Sequence, residues 1–298
     1  MVSQEVSVLL AVADAALNEE FPPNIDAAFS AYQQALEIDE NCIEALDSFG
    51  ELLANLGDSE RAIQVFMKSV SIAPDQGPCK YFYLGQMLSG HEALSAYKKC
   101  YALMTDLNDP ELVERKVATL CAIGELFLTD LADEEQAESL CKEAFETAVS
   151  VNPNSIEALN GMATFHRMKL EIAESKTFCA KAFEILEPLM ESAELEETIE
   201  EVAPLSLRQR LAENLVELEM IDEALAVLST ILEEDEEDIQ SWFLTACCHL
   251  VAKQREDAAE CVKQAKRLLK KQKNQIPPPM VEHWSKNIGD LEKRLTAQ

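Results

Sequence analysis

The sequence predicts an all-α fold, a solenoid of stacked helical hairpins, and three observations carry that prediction. Leu, Ala and Glu dominate, and the 298 residues include only 8 Gly and 6% aromatics, a helix-forming composition with little material for strands. Apolar residues make up 48% of the chain, enough for a sizeable core. Small and large apolar residues also recur at a spacing of 34: Ala28 with Ala62, Tyr32 with Phe66, Ala35 with Ser69, then Ala224 with Ala258, Leu228 with Val262 and Ile231 with Ala265.

That period, with small, large and small residues at i, i+4 and i+7, is the tetratricopeptide pattern. The first repeat is expected over about 9–42. The second, about 43–76, is the clearest. Leu46, Phe49, Gly50 and Leu53 stripe its helix A, and Gly57-Asp58 closes that helix as glycine does at a C-terminal cap. Ala62, Phe66, Ser69 and Val70 stripe helix B, which Pro74 stops. Gly50 and Ala62 let the helices approach, and Phe66 fills the space beyond them.

The third repeat, about 78–108, carries Tyr81, Leu84, Gly85 and Leu88, then Ala93, Tyr97 and Cys100, with four residues missing at the bend around Ser89-Gly90. The fourth carries Leu120, Gly124 and Phe127, a bend about five residues longer, then Cys141, Phe145, Ala148 and Pro153. The fifth opens on NSIEAL, an echo of NCIEAL at 41–46. After a weakly patterned segment at 187–204, the sixth is expected over about 205–238, and the seventh holds Trp242, Ala246, Ala258, Val262 and Ala265. IPPP at 276–279 ends the array, and MVEHWSKNIGDLEKRL supplies a helix to cover the last apolar face. The expected organisation is a tetratricopeptide solenoid over 1–275 and a C-terminal capping helix within 276–298. About seven helix pairs stacked this way make a right-handed superhelix, with the A helices lining a concave groove.

Formal charge is −30. A uniform polyanion of that size does not seek nucleic acid or an anionic membrane. The charge is lopsided: residues 1–250 hold 14 Lys and Arg against 49 Asp and Glu, and residues 251–298 hold 11 against 6. An acidic body of this kind suits a cationic partner. The nine cysteines are an odd number without a CxxC spacing, which reads as reduced, core-filling cysteine in a cytosolic or nuclear protein. SVLLAVADAAL near the N-terminus lacks the basic flank and cleavage site of a signal peptide and is expected to be helical.

Nothing in the sequence points to catalysis or to a cofactor. His91, His166, His249 and His283 lack metal-ligand spacing, and CCH at 247–249 falls mid-helix, where successive side chains diverge. There is no phosphate-binding loop and no nucleophile–base constellation. The expectation is a non-enzymatic binding protein without cofactor, metal, small-molecule substrate, direct nucleic-acid contact or membrane contact.

In arrays of this type the groove takes side chains from positions near 2, 5, 9 and 12–13 of each helix A. Here those positions give Glu44, Asp47, Glu51 and Asn55 from the second repeat, and Phe82 and Gln86 with adjacent Tyr83 from the third. The fourth gives Glu125, the fifth Glu157 and Asn160, and the sixth Glu213 and Glu217. Carboxylates on one wall steer a basic ligand, aromatics anchor it, and Asn side chains hold an extended peptide backbone. The heat-shock carboxylate clamp is disfavoured. It needs basic residues on the first and third A helices, and the first two offer Asp14, Leu17 and Glu20, then Glu44, Asp47 and Glu51. The charge runs at 191–201 and 233–238 read as solubilising surface or as added capture surface. KQAKRLLKKQK at 263–273 reads as the exposed face of a last helix or as a nuclear-import signal.

DAAFSAYQQALEIDENCIEALDSFGELLANLGDSERAIQVFMKSVSIAPDQGPCKYFYLGQMLSGHEALSAYKKCYALM, with its shortened third bend, and the later LEEDEEDIQSWFLTACCHL resemble the dedicated assembly chaperones of ribosomal protein four of the large subunit. KYFYLGQMLSGHEAL is the most specific part. The resemblance implies a chaperone that holds the long basic internal loop of the newly made ribosomal protein in its groove. It implies travel from cytoplasm to nucleus, and release on pre-ribosomes, with the nuclear import machinery among the partners. A general tetratricopeptide adaptor, acting as scaffold or co-chaperone with a different basic partner, is the alternative.

Overall fold

The computed structural model describes residues 3–18, 22–105, 109–190 and 202–297. Fifteen α-helices have described bounds, and no strand occurs among the described residues. The first six run as hairpins: α1 (Gln4–Asn18) with α2 (Ile25–Ile38), α3 (Ile43–Asn55) with α4 (Ser59–Ile72), and α5 (Pro78–Met87) with α6 (Gly90–Leu103); α7 (Pro110–Leu128) and α8 (Ala137–Val151) follow in the chain. The chain continues with α9 (Ile156–Met168) and α10 (Ile172–Met190), α11 (Leu205–Glu217) and α12 (Ile221–Glu234), α13 (Ile239–Val251) and α14 (Arg255–Gln272), then α15 (Pro278–Thr296). Two compact units result, Met1–Ala144 and Phe145–Gln298, divided within α8. The charge run at 191–201 lies outside the described residues.

In the first unit the expected stripes are the core. Leu46, Phe49, Leu53, Ala62 and Phe66 are all at most 5% exposed. The close approach of α3 to α4 is real: a Cβ on Gly50 would lie 2.6 Å from the Phe66 ring. Gly85 of α5 stands in the same relation to Tyr97 of α6, at 2.5 Å. In the second unit, Gly161 of α9 lies under the Phe145 ring of α8, where a Cβ would approach to 2.3 Å. That contact joins one repeat to the next, so the same device serves inside a hairpin and between hairpins.

The third repeat is shortened as its sequence predicts. Its helix A, α5, has 10 residues where α3 has 13, and a two-residue link, Leu88-Ser89, replaces Leu56-Gly57-Asp58. The longer bend of the fourth repeat reaches this place. Asp130 Oδ2 accepts a hydrogen bond from the Gly90 amide at 2.9 Å, and Glu134 Oε1 lies 3.0 Å from His91 Nε2.

In the second unit Leu186, Leu211, Leu215, Leu228 and Ile231 are fully buried. At its end, α15 lays Ile288 and Leu291 against a cluster containing Val262, Ala265 and Leu268 of α14. The cysteines behave as core filler. All nine are thiols, seven of them buried, and burial pushes Cys141 and Cys179 up to about 12, so they stay protonated.

Four of the bends share one closure. In the second repeat Gly57 N donates to Ala54 O at 2.9 Å and Asp58 N to Leu53 O at 2.9 Å, the double bond of a Schellman cap. It recurs with Leu170, Glu219 and Lys253 in place of the glycine, at φ of 62°, 56° and 62°. A side chain costs about 1–2 kcal/mol in that left-handed conformation, and Leu170 is also 81% exposed. Leu170→Gly is expected to stabilise the protein by about 1 kcal/mol, read as a higher Tm; an unchanged or lower Tm overturns this account of the bend.

Candidate functional site

The candidate residues of the first unit sit on α3, α5 and α7. Glu44 and Asn55 are exposed on α3, and Gln86 is exposed on α5. Asp47 has a different duty. Ser69 Oγ donates to its Oδ1 at 2.5 Å, and Lys80 Nζ lies 3.8 Å from its Oδ2 while donating to Ser69 Oγ at 2.9 Å. Lys80 is fully buried. Burial pushes the Asp47 carboxyl up, against the downward pull of the Ser69 bond and of Lys80. Gly77, at φ 66°, leaves the space this carboxylate occupies: a Cβ there would lie 2.7 Å from Asp47 Oδ2. The expectation of a free client-binding acid is corrected here. Asp47 is the counter-ion of a buried lysine, because a buried ammonium without a partner is strongly unfavourable.

Glu51 is half-buried and accepts a hydrogen bond from the Tyr83 hydroxyl at 2.7 Å. Burial and that bond push the Tyr83 phenol up, which keeps it a donor. The Tyr83 ring stacks on Phe66 with centroids 5.7 Å apart. Phe82 stands edge-on to Tyr83 and to Tyr97 at 6.1 and 6.0 Å, and the Arg115 guanidinium of α7 lies 5.6 Å from its ring centroid. The aromatic pair is therefore a half-buried cluster flanked by an acid and by a cation. Glu125, farther along α7, is half-buried.

In the second unit Glu213 and Glu217 are exposed on α11, and Glu157 on α9 is half-buried, with Arg210 Nη2 3.7 Å from its Oε1. Gln240 Nε2 donates to Glu213 Oε1 at 2.5 Å, and local crowding by protein pushes that carboxyl up although the side chain as a whole stays exposed. Asn160 also calls for a correction. It is only 4% exposed, its Oδ1 accepts from Asn214 Nδ2 at 2.7 Å, and Arg167 Nε donates to Asn214 Oδ1 at 2.9 Å. It ties α9 to α11 in place of holding a peptide. Arg208 is a second buried cation, donating to Ala203 O at 2.9 Å and pairing with Glu234.

Four arginines that the groove register does not pick out, Arg115, Arg167, Arg208 and Arg210, thus stand among these acids. Their sequence signal is weak, since none falls at a groove position of the repeat and each is one of few cations in an acidic chain. Among the described residues no group of three or more His, Cys, Asp or Glu side chains could hold a metal ion.

Lys80→Met leaves Asp47 desolvated without its cation and is expected to cost about 3 kcal/mol of stability. Adding Asp47→Asn should restore much of it. Denaturant melts of the two variants measure the difference, and a single variant as stable as the parent overturns the buried-pair reading.

Residues 43–76 match the tetratricopeptide-repeat family. Two curated relatives are similar to the chain, both named probable assembly chaperone of rpl4. The one from Schizosaccharomyces pombe is 28% identical over 210 residues, covering 67% of this chain and 61% of its own length. The one from Emericella nidulans is 25% identical over 239 residues, covering 75% and 60% respectively. The chain thus spans about three-fifths of the length of these relatives. A solved assembly chaperone of RpL4, Acl4, shares the fold with a TM-score of 0.74 at 23% identity, covering 86% of this chain and 99% of that one. A tetratricopeptide repeat protein from Parabacteroides merdae gives 0.58 at 14% identity. By fold the chain is a tetratricopeptide-repeat protein, and in sequence it is similar to proteins named as assembly chaperones of rpl4.

Proposed function

We propose that this chain is a non-enzymatic chaperone for a newly made basic protein of the large ribosomal subunit. The observation that carries this reading is the similarity, over 67% and 75% of the chain, to two relatives named probable assembly chaperone of rpl4. The acidic surplus gives the reading its mechanism. A ribosomal segment rich in Lys and Arg lacks its rRNA partner until assembly and is prone to aggregate or to bind stray RNA. Exposed carboxylates on the A helices, among them Glu44, Glu213 and Glu217, attract such a segment over distances set by ionic strength. Phe82 and Tyr83 offer half-buried aromatic surface for anchoring. Ordering a flexible loop opposes binding, so several separate attractions are required.

In this reading the client's basic internal loop is shielded in the cytoplasm, carried into the nucleus and released when rRNA phosphate competes for the same cations. Import factors and pre-ribosomes are then transient partners.

The test is co-purification of the whole chain with mass spectrometry. One dominant basic large-subunit ribosomal protein is expected, with recovery falling steeply between about 0.1 and 1 M salt. Reversal of Glu44, Glu213 and Glu217 to Lys is expected to slow association by about tenfold or more, measured by surface-immobilised kinetics. Salt-insensitive recovery overturns the electrostatic mechanism, and a dominant partner of another class turns the reading to that of a general adaptor.

A further inference from the structure

The end of the second unit carries a surface of the opposite chemistry. A cavity of about 370 Å³ lies between α14 and α15. Leu269 and Val281 give it apolar walls, and Lys266, Lys270 and Lys273 surround it. The other lysines of this basic run are tied down: Lys263 pairs with Glu260 at 3.0 Å, Lys266 with Glu292 at 2.8 Å, and Lys271 with Glu237. Lys270 and Lys273 have no carboxylate partner among the described residues.

Gly289 lies in the middle of α15 on the lining of this cavity. Gly50 and Gly85 are required by a ring above them, but a Cβ on Gly289 would meet nothing within 4 Å. An interior glycine weakens a helix, and among the described residues no neighbour accounts for this one. At this point of the lining there is room for a methyl, and a bulkier side chain is what would compete with a ligand for the space.

We propose that this cavity is the docking site for an acidic amphipathic helix of a second protein. Apolar side chains of the partner enter between Leu269 and Val281, and its flanking carboxylates meet Lys270 and Lys273. The local charge is complementary: residues 251–298 hold 11 Lys and Arg against 6 Asp and Glu, on a chain that totals −30. Nucleic acid fits less well. The cavity lining includes no aromatic side chain on which a base could stack. A short acidic helix carries few charges, and beyond about 10 Å salt screens it from the rest of the molecule. None of the candidate client-contacting acids lines this cavity, and the inference does not rest on the chaperone reading.

The experiment uses the whole chain and a labelled synthetic peptide with Leu at i, i+4 and i+7 and Glu on both flanks, read by fluorescence anisotropy. Saturable binding is expected. It should weaken about tenfold in the Lys270→Glu, Lys273→Glu double variant and in Gly289→Leu. Gly289→Ala adds one methyl to a helix and should bind as the parent does, with a Tm at least as high. Circular dichroism checks the helix content, and Lys270→Ala with Lys273→Ala replaces the charge reversal should that variant misfold. The proposal is overturned by absence of saturable binding, by equal binding of a peptide with the same composition and no apolar ridge, by indifference to the Lys270, Lys273 and Gly289 variants, or by a uridine oligonucleotide binding more tightly than the peptide.

Discussion

The structure depends on a close approach of two helices that only a missing side chain permits. Gly50 beneath Phe66 and Gly85 beneath Tyr97 bring helix A of a repeat against helix B, and each ring fills the volume a Cβ would have taken. Interiors packed as densely as crystals leave no slack for a methyl in such a place. With B-helix rings seated on the A helices, the hairpin becomes a rigid unit. Away from the core, α3 and α11 put Glu44, Glu213 and Glu217 in solvent. The hairpin geometry leaves such a face exposed, and the acidic composition of the chain decides that it is charged.

Residues 1–250 are short of cations, with 14 Lys and Arg against 49 acids, and several of the cations are inside. Lys80 and Arg208 are buried, and Arg115, Arg167 and Arg210 are half-buried between helices. A surface lysine would screen the acidic field at little gain in stability. The same charge placed inside ties elements together through Asp47, Glu234, Asn214 and Glu157. The distribution leaves a large outward excess of carboxylates. It also means that acids at interface positions are of two kinds. Some face water and attract, and others neutralise an internal cation and do not.

The sequence showed the hairpins clearly because hairpin signals are local. Gly57-Asp58, the stripe from Leu46 to Leu53 and the four-residue deletion before Gly90 each lie within one helix or bend, where period and turn chemistry speak directly. The register along helix A picks out positions on one face of each helix. It could not tell which residues on that face a neighbouring helix covers. Asp47 meets Lys80 of the next repeat, and Asn160 meets Asn214 of α11, across separations that no periodicity encodes. The non-glycine bends at Leu170, Glu219 and Lys253 were hidden for a related reason. Their shape is a backbone property that the residue type opposes and the surrounding hairpin imposes.

The irregular third and fourth repeats are better understood together than apart. Clipping four residues from one bend removes the last turn of α5 and its glycine cap, which would leave the start of α6 uncovered. The next repeat carries the longer bend, and it is this segment that supplies Asp130 to the Gly90 amide and Glu134 to His91. Gly90 adopts a φ of 54°, so the amide is turned by a residue that accepts that conformation without strain. An unsatisfied amide at a helix start is unfavourable, and an acid beside it is the usual remedy. The deletion and the insertion thus act as one feature: the chain shortened a hairpin and lengthened its neighbour so that the orphaned helix end still finds an acceptor.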